Sequence, residues 1–514
     1  MTSQARKTHP SPAFDILLCA GALLLSAILI WLVAGTQIEL GVTGKWVWMR
    51  SPAETLRPAA SLLMPCIILL LIIGFSVVCG LFVRRFPRAV TPVCLCILLS
   101  GIFFQNSLLS AGRAGRAENE AAFLDVYTGG YLKEAVLIQD PASYFASYAD
   151  RMAKDEDTTN HLDVHPPANI FFCLQLVRFA RNSSIPAHIA CLVQPPEARR
   201  ILRGFLRDGV FLGMPDDPCL PDVAAMLLLL SQGAILLSSI LIFFALRRLC
   251  PIYRDSGKMV AAALFLAVVS AEPLLFAGHF DVFMNLIGAL CITLLVYAIT
   301  ARTVCAKRLY AFSAGVSVAL GCASTLAFGL MIPVAALLFL LRKDWRKGVD
   351  PLLFFALGGS VFAGLVFLLM GVNLPECAFY ARRNNGRFFQ EINRGYLEFL
   401  PWNVLDILLF GTPLALLSAL FRAPAYGPRR FYFSRRNVTA WCFMLLAFSL
   451  VFSPSLRGEV GRILLFASSG LTLAAACGIL RMNGIPLRIF AAAVLLQGVL
   501  LAVMRVFLRI ATIW

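Results

Sequence analysis

Apolar residues in this chain neither alternate nor recur on one face. They come in nearly unbroken runs near 14–34, 58–83, 89–108, 223–246, 259–277, 282–300, 309–341, 352–371, 403–421, 438–453, 463–480 and 487–504, mostly separated by short polar links. A bilayer core takes roughly 20 apolar residues per helix, so each run reads as a membrane helix. The run at 309–341 is too long for one span and carries basic clusters at both ends (Lys307 and Arg308; Arg342, Lys343, Arg346 and Lys347). That predicts two short helices meeting near Cys322 to Thr325. The expected fold class is an all-α polytopic membrane protein of about 13 transmembrane helices.

Lys and Arg in the short links fix the expected orientation. If the spans alternate, Arg6/Lys7, Arg84/Arg85/Arg88, Arg247/Arg248/Arg254/Lys258, Arg302/Lys307/Arg308, the 342–347 cluster, Arg422/Arg429/Arg430/Arg435/Arg436 and Arg481/Arg488 share one side. The N-terminus is expected to be cytoplasmic, with an uncleaved first span: the apolar stretch is long for a signal peptide and Ala34 is a poor cleavage site. The exception is the link from 109 to 222, which mixes 11 basic with 15 acidic residues on the opposite face. It is the one soluble-like region.

Composition agrees with a membrane protein: 59% hydrophobic, 14% charged, mean hydropathy +0.80. A soluble enzyme, with about 25% charge, is excluded. The net charge of +17 would suggest nucleic acid in a soluble protein, but here it is the signature of topology, and no nucleic-acid partner is expected. Most of the 15 cysteines lie inside apolar runs and act as small hydrophobes. Cys191, Cys219 and Cys377 fall in outer loops, which leaves a Cys191–Cys219 disulfide open.

The distribution of polar residues narrows the chemistry. A transporter keeps ionisable groups at mid-membrane depth and has short external loops. Here the interior spans carry Glu272 and Asp406, both toward outer helix ends, while polar residues gather on the outer face: the 109–222 loop, His279 and Asp281, a second outer loop at 373–402, and Arg457, Glu459 and Arg462. The densest feature is His161-Leu162-Asp163-Val164-His165-Pro166-Pro167-Ala168-Asn169 ahead of an apolar stretch from Ile170 to Phe179. The two prolines predict an extended approach and a helix start, because proline fits only a first helical turn. Arg178 and Arg181 end that helix early, so it should lie at the membrane surface.

Asp163-Val164-His165-Pro166-Pro167 resembles the Asp-Val-His-Pro-Pro segment of protein O-mannosyltransferases and the His-Pro-Pro or Lys-Pro-Pro segment of related GT-C integral-membrane glycosyltransferases, the superfamily that includes aminoarabinose transferases. Tyr131-Leu132-Lys133-Glu134 with Asp140-Pro141 and Phe145 is similar to a Tyr-x-x-acid segment of bacterial relatives. Arg457-Gly458-Glu459-Val460-Gly461-Arg462 is similar to their Gly-Glu-Val-x-Arg segment, and Asn403, Asp406, Gly411 and Pro413 also fit. The likeness spans roughly 109–480. It departs at Ala168, where relatives often carry Gly or Leu, and at Glu134, where Asp is usual.

The resemblance implies two leading helices (1–88) before a GT-C-like core (89–514), with juxtamembrane helices in the 109–222 loop. It implies a multi-pass protein of the bacterial inner (plasma) membrane that moves a sugar from a polyprenyl-phosphate donor to a glycan, lipid or protein acceptor on the outer face. The departing phosphate wants Arg or Lys. The acceptor hydroxyl needs a carboxylate base, and inversion needs only one. Candidate bases are Glu118, Glu120, Asp125 and Glu134. Candidate binding residues are Asp163, His165, His279, Asp281, Arg387, Arg394, Tyr396, Arg457, Glu459 and Arg462, with the outer arginines on the donor phosphate. No cofactor is expected. His161 and His165 around Asp163 raise a divalent cation, but the prolines oppose the helical spacing that would bring both rings to one ion. The competing readings are a transporter or lipid-linked saccharide flippase, which would depend on Glu272 or Asp406, and a non-catalytic scaffold of the same ancestry.

Overall fold

The computed structural model describes residues 12–42, 46–50, 58–111, 115–125, 130–154, 165–211, 213–254, 256–341, 345–391, 395–422, 439, 441–446, 449, 452, 465–482 and 486–508. Three long helices open the chain: α1 (Pro12–Gly35), α2 (Pro58–Arg85) and α3 (Val90–Ser110), with a small antiparallel hairpin, β1 (Leu40–Val42) and β2 (Trp46–Trp48), between the first two. Seven short helices follow where the loop was expected. They are α4 (Arg116–Leu124), α5 (Tyr131–Leu137), α6 (Pro141–Ala146), α7 (Tyr148–Lys154), α8 (Ala168–Asn182), α9 (Ile185–Val193) and α10 (Pro196–Arg207).

The chain then returns to long helices: α11 (Leu220–Leu249), α12 (Lys258–Val269), α13 (Asp281–Thr300), α14 (Val304–Cys322), α15 (Met331–Leu340) and α16 (Arg346–Met370). After these come α17 (Leu374–Glu391), α18 (Tyr396–Phe410), α19 (Pro413–Phe421), α20 (Leu465–Arg481) and α21 (Leu487–Phe507). Among the described residues eight helices are long and apolar enough to cross a membrane, or nine if the bent pair α18–α19 is one span. The fold is that of an all-α multi-pass membrane protein. The remaining expected runs are shorter or more polar helices, and the run near 438–453 is described only in part.

Packing shows which faces meet lipid. Leu17, Leu24 and Trp31 of α1, Leu63, Leu71 and Val78 of α2, and Leu365, Leu368 and Leu369 of α16 are all exposed. Apolar faces that large are stable only against hydrocarbon. At the centre, α12 and α20 are buried almost end to end and pack on each other; α20 also touches α13, and α12 packs on α2, α3 and α21. Close approach elsewhere depends on glycine: a Cβ at Gly315 of α14 would sit 1.9 Å from the Phe355 carbonyl oxygen of α16, and one at Gly358 would sit 2.1 Å from that of Phe312. Small residues let membrane helices touch backbone to backbone.

Three apolar runs are broken. The 309–341 run divides at Ala323–Thr325 into α14 and a 3-10 turn, Leu326–Leu330, that leads into α15. The run after Lys258 stops at Val269, because Pro273 has no N–H to return to the Val269 carbonyl, and continues as a 3-10 turn, Glu272–Phe276. The third break, at Gly411–Thr412, bends α18 against α19 by 96°.

At the charged start of the bundle, Asp15 of α1 pairs with Arg422 beyond α19, both fully or nearly buried, and the Arg422 guanidinium lies 4.9 Å from the Phe14 ring. At the other end Arg50, just after the hairpin, bridges to Leu508 at the end of α21. The short helices α4 to α10 cover that same end.

Candidate functional site

Helix α4 carries three of the four candidate acids and sets the geometry. Gly115, with φ of 58°, turns the chain out of α3. Residues two apart in a helix point to opposite sides, and Glu118 and Glu120 do so. Glu118 reaches α21, where its Oε2 lies 3.5 Å from Arg505 Nη2; the Arg505 side chain is 1% exposed. Glu120 turns toward the α9–α10 link, where Gln194 Nε2 donates to its Oε2 at 2.7 Å. Arg116 lies 3.9 Å from Glu120 and donates to Asn106 Oδ1, which also accepts from Gln232. One polar network thus fastens α4 and the α9–α10 link to α3 and α11.

Burial pushes the Glu120 carboxyl from its usual 4.5 to about 7, against the opposing pull of Gln194 and Arg116. A carboxyl whose pKa rises on folding stabilises the docked loop fully below 4.5. That contribution is lost as pH climbs from there to about 7, a change of roughly 3 kcal/mol. Limited proteolysis of the 115–211 region should therefore speed up between pH 5 and 7 and level off above. Glu120→Gln should flatten the profile; an unchanged slope in that variant would assign the dependence to another group.

The link 277–280 lies directly on α4. Gly278 has φ of 106°, and a Cβ there would come 2.3 Å from Ala122 Cβ and 3.1 Å from the Asn119 carbonyl oxygen, so only glycine allows this approach. His279 follows, 8% exposed, and Asp281 begins α13, where a carboxylate complements the helix dipole. Phe280 stands edge-on to Phe123 of α4 (5.6 Å between centroids) and to Tyr131 of α5 (5.1 Å). Tyr131 in turn meets the His165 ring at 6.0 Å. Asp125, 6% exposed, is the C-cap of α4. One row of rings, Phe123, Phe280, Tyr131 and His165, therefore joins α4, the 277–280 link, α5 and the His165 turn.

Glu134 belongs to a neighbouring knot. It accepts from the Tyr144 hydroxyl at 2.7 Å and lies 3.6 Å from Arg151, whose guanidinium stacks over the Tyr144 ring at 3.7 Å. Tyr148, on the same side, donates to the His165 carbonyl at 3.0 Å. The knot supports the His165 turn from behind. As expected from Pro166-Pro167, α8 starts at Ala168, and the Ala168 N–H donates to the Ala323 carbonyl at the break after α14 (3.0 Å).

The second expected outer loop is mostly helical. Along α17, Arg383 donates to the Met152 and Ala153 carbonyls and Asn384 to that of Met152, which caps α7. Arg387 is exposed on the same helix, and the Tyr396 hydroxyl donates to the Phe452 carbonyl (3.1 Å). Asp163, Arg394, Arg457, Glu459 and Arg462, as well as His161, lie outside the described residues. Among those described no group of three or more His, Cys, Asp or Glu side chains is placed to hold a metal ion, and Cys191 and Cys219 are free thiols.

Asp406 accepts from the Trp48 indole at 2.7 Å and so ties α18 to the hairpin. Glu272 does not join the His279 group; it lines a separate, deeper cavity. Sequence reasoning passed over Arg505, Arg116 and Gln194. The signal for Arg505 was present: a positive charge at the opposite end of an apolar run from the basic Arg488. No family model, curated protein or solved structure matches this chain.

Proposed function

We propose that the protein transfers a sugar from a polyprenyl-phosphate donor to an acceptor on the outer side of the membrane. The reading rests on one observation above others: α4, the 277–280 link, α5 and the His165 turn are joined by one row of rings, and the same α4 pairs through Glu118 with the buried Arg505. Asp125 takes the acceptor hydroxyl proton, and Arg505 with its Glu118 partner offers the positive charge that a departing lipid phosphate needs. His165 and His279 orient sugar or phosphate, and Glu134 positions the His165 turn.

A furrow of ≈ 540 Å³ supports a lipid-borne donor. It runs between α2, α3 and α11 and is lined by Phe75, Cys96, Leu99, Ser100, Ile102, Phe103 and Leu236. Phe103 lies about 10 Å below the end of α3 at 1.5 Å per residue, a short reach from α4 for a phosphate on an isoprenoid chain.

Purified protein incubated with a panel of polyprenyl-phosphate sugars should release the lipid phosphate with at least one of them; no release from any member counts against the reading. The outer placement is checked separately. A cysteine at Ser147 should react with a membrane-impermeant maleimide in intact cells, and one at Pro428 only after permeabilisation. The reverse pattern would put the site on the wrong side for this donor.

A further inference from the structure

Apart from that site, a small cavity inside the bundle has a mixed polar and apolar lining. Its volume is ≈ 20 Å³, and its lining includes Glu272, Ser238, Asn285, Ser468, Ser469 and Thr472. That is room for about one water-sized particle. Glu272 is 2% exposed, its Oε1 has no hydrogen-bond partner, and among the described residues it forms no ion pair. An ionised carboxylate so placed needs a compensating positive charge.

Beside the apolar Ile242, Phe410 and Leu471, the lining offers several side-chain oxygens. The Ser238 hydroxyl donates to the Ala234 carbonyl (2.7 Å), that of Ser468 to Leu465 (2.9 Å) and that of Ser469 to Asn285 Oδ1 (2.7 Å). With those protons committed, the hydroxyls have lone pairs left to offer. Two broken helices also end at the cavity, through Val269 and Ser270 after α12 and through Phe410 and Gly411 after α18. Each break is followed by a proline, Pro273 or Pro413, which denies a carbonyl four residues earlier its helical donor. The negative ends of two helix dipoles therefore converge on one buried carboxylate. Discontinuous membrane helices bind small cations with such carbonyls and C-terminal ends.

We propose that this cavity binds one sodium ion, held by the Glu272 carboxylate, the Val269 carbonyl and the serine and Asn285 oxygens. A divalent ion would want more carboxylates or retained waters than the cavity admits, and potassium is larger. The proposal is independent of sugar transfer, since none of these residues belongs to the group around α4.

The test is thermal unfolding of the purified full-length protein in detergent, in sodium, potassium or choline chloride at equal concentration. Sodium should raise Tm by several degrees in a saturable way, while potassium and choline should not. Glu272→Gln, which keeps the shape and removes the charge, should abolish the sodium response, and Ser469→Ala should shift its midpoint to higher sodium. Direct binding of radioactive sodium to wild type, and its loss in Glu272→Gln, checks the same point without relying on stability. Equal Tm in all three salts, or an intact sodium response in Glu272→Gln, would overturn the proposal and leave Glu272 as a protonated acid inside the bundle.

Discussion

Asp125→Asn is expected to reduce sugar transfer by about 10²–10⁴ while leaving a folded, abundant protein. The change is isosteric and removes a base without removing volume, and α4 remains held by the Gln194–Glu120–Arg116–Asn106 network on its other side. The loss should appear in turnover and not in the apparent KM for the donor, because a base acts on the acceptor proton in the transition state. Glu134→Gln gives the contrast. Its carboxylate is engaged by Tyr144 and Arg151, so that variant should disturb the His165 turn and change KM together with kcat. If Asp125→Asn keeps full activity, Asp125 is a helix cap and the base must be Glu118.

The second large effect concerns the pair between α4 and α21. Glu118→Gln leaves the Arg505 guanidinium buried without its countercharge, and breaking a buried pair on one side costs about 3–5 kcal/mol. The single variant should therefore unfold at distinctly lower temperature in detergent. Replacing both partners, Glu118→Gln with Arg505→Met, removes the charge imbalance and should recover most of that stability. Transfer should stay lost, because the phosphate has lost its arginine. Recovery of activity along with stability would make the pair a structural fastener and nothing more.

The pattern along the chain was a good guide wherever the bilayer itself sets the rule. Span length is a demand of hydrocarbon thickness, so against about 13 expected spans eight helices among the described residues, or nine with the bent pair, are long and apolar enough to cross, and the division of the 309–341 run was readable from its excess length and its charged flanks. The start of α8 at Ala168 was readable because two prolines leave a chain little choice. What the sequence hid is tertiary. Pro273 and the Gly411–Pro413 step sit inside runs apolar enough to pass for whole spans, so the broken helices around Glu272 were not apparent. Glu134 looked like a candidate base, and nothing local announced that Tyr144 and Arg151 would surround its carboxylate. Arg383 and Asn384 looked like part of a basic loop because their partners, the carbonyls that end α7, lie more than two hundred residues earlier.

The hydrogen bond from Ala168 to Ala323 bears on how the protein is made. Synthesis runs at about 5–20 residues per second, so the covering helices are complete well before the carbonyl that anchors α8 exists. The pair of Glu118 with Arg505 waits longer still, for α21. During that interval the 109–222 segment has no bundle to dock on and must stay soluble without aggregating. Its mixture of 11 basic and 15 acidic residues suits that wait. A ribosome stalled before α21 would thus leave a membrane-inserted intermediate whose covering helices are present and incompletely docked, a ready substrate for quality-control proteases.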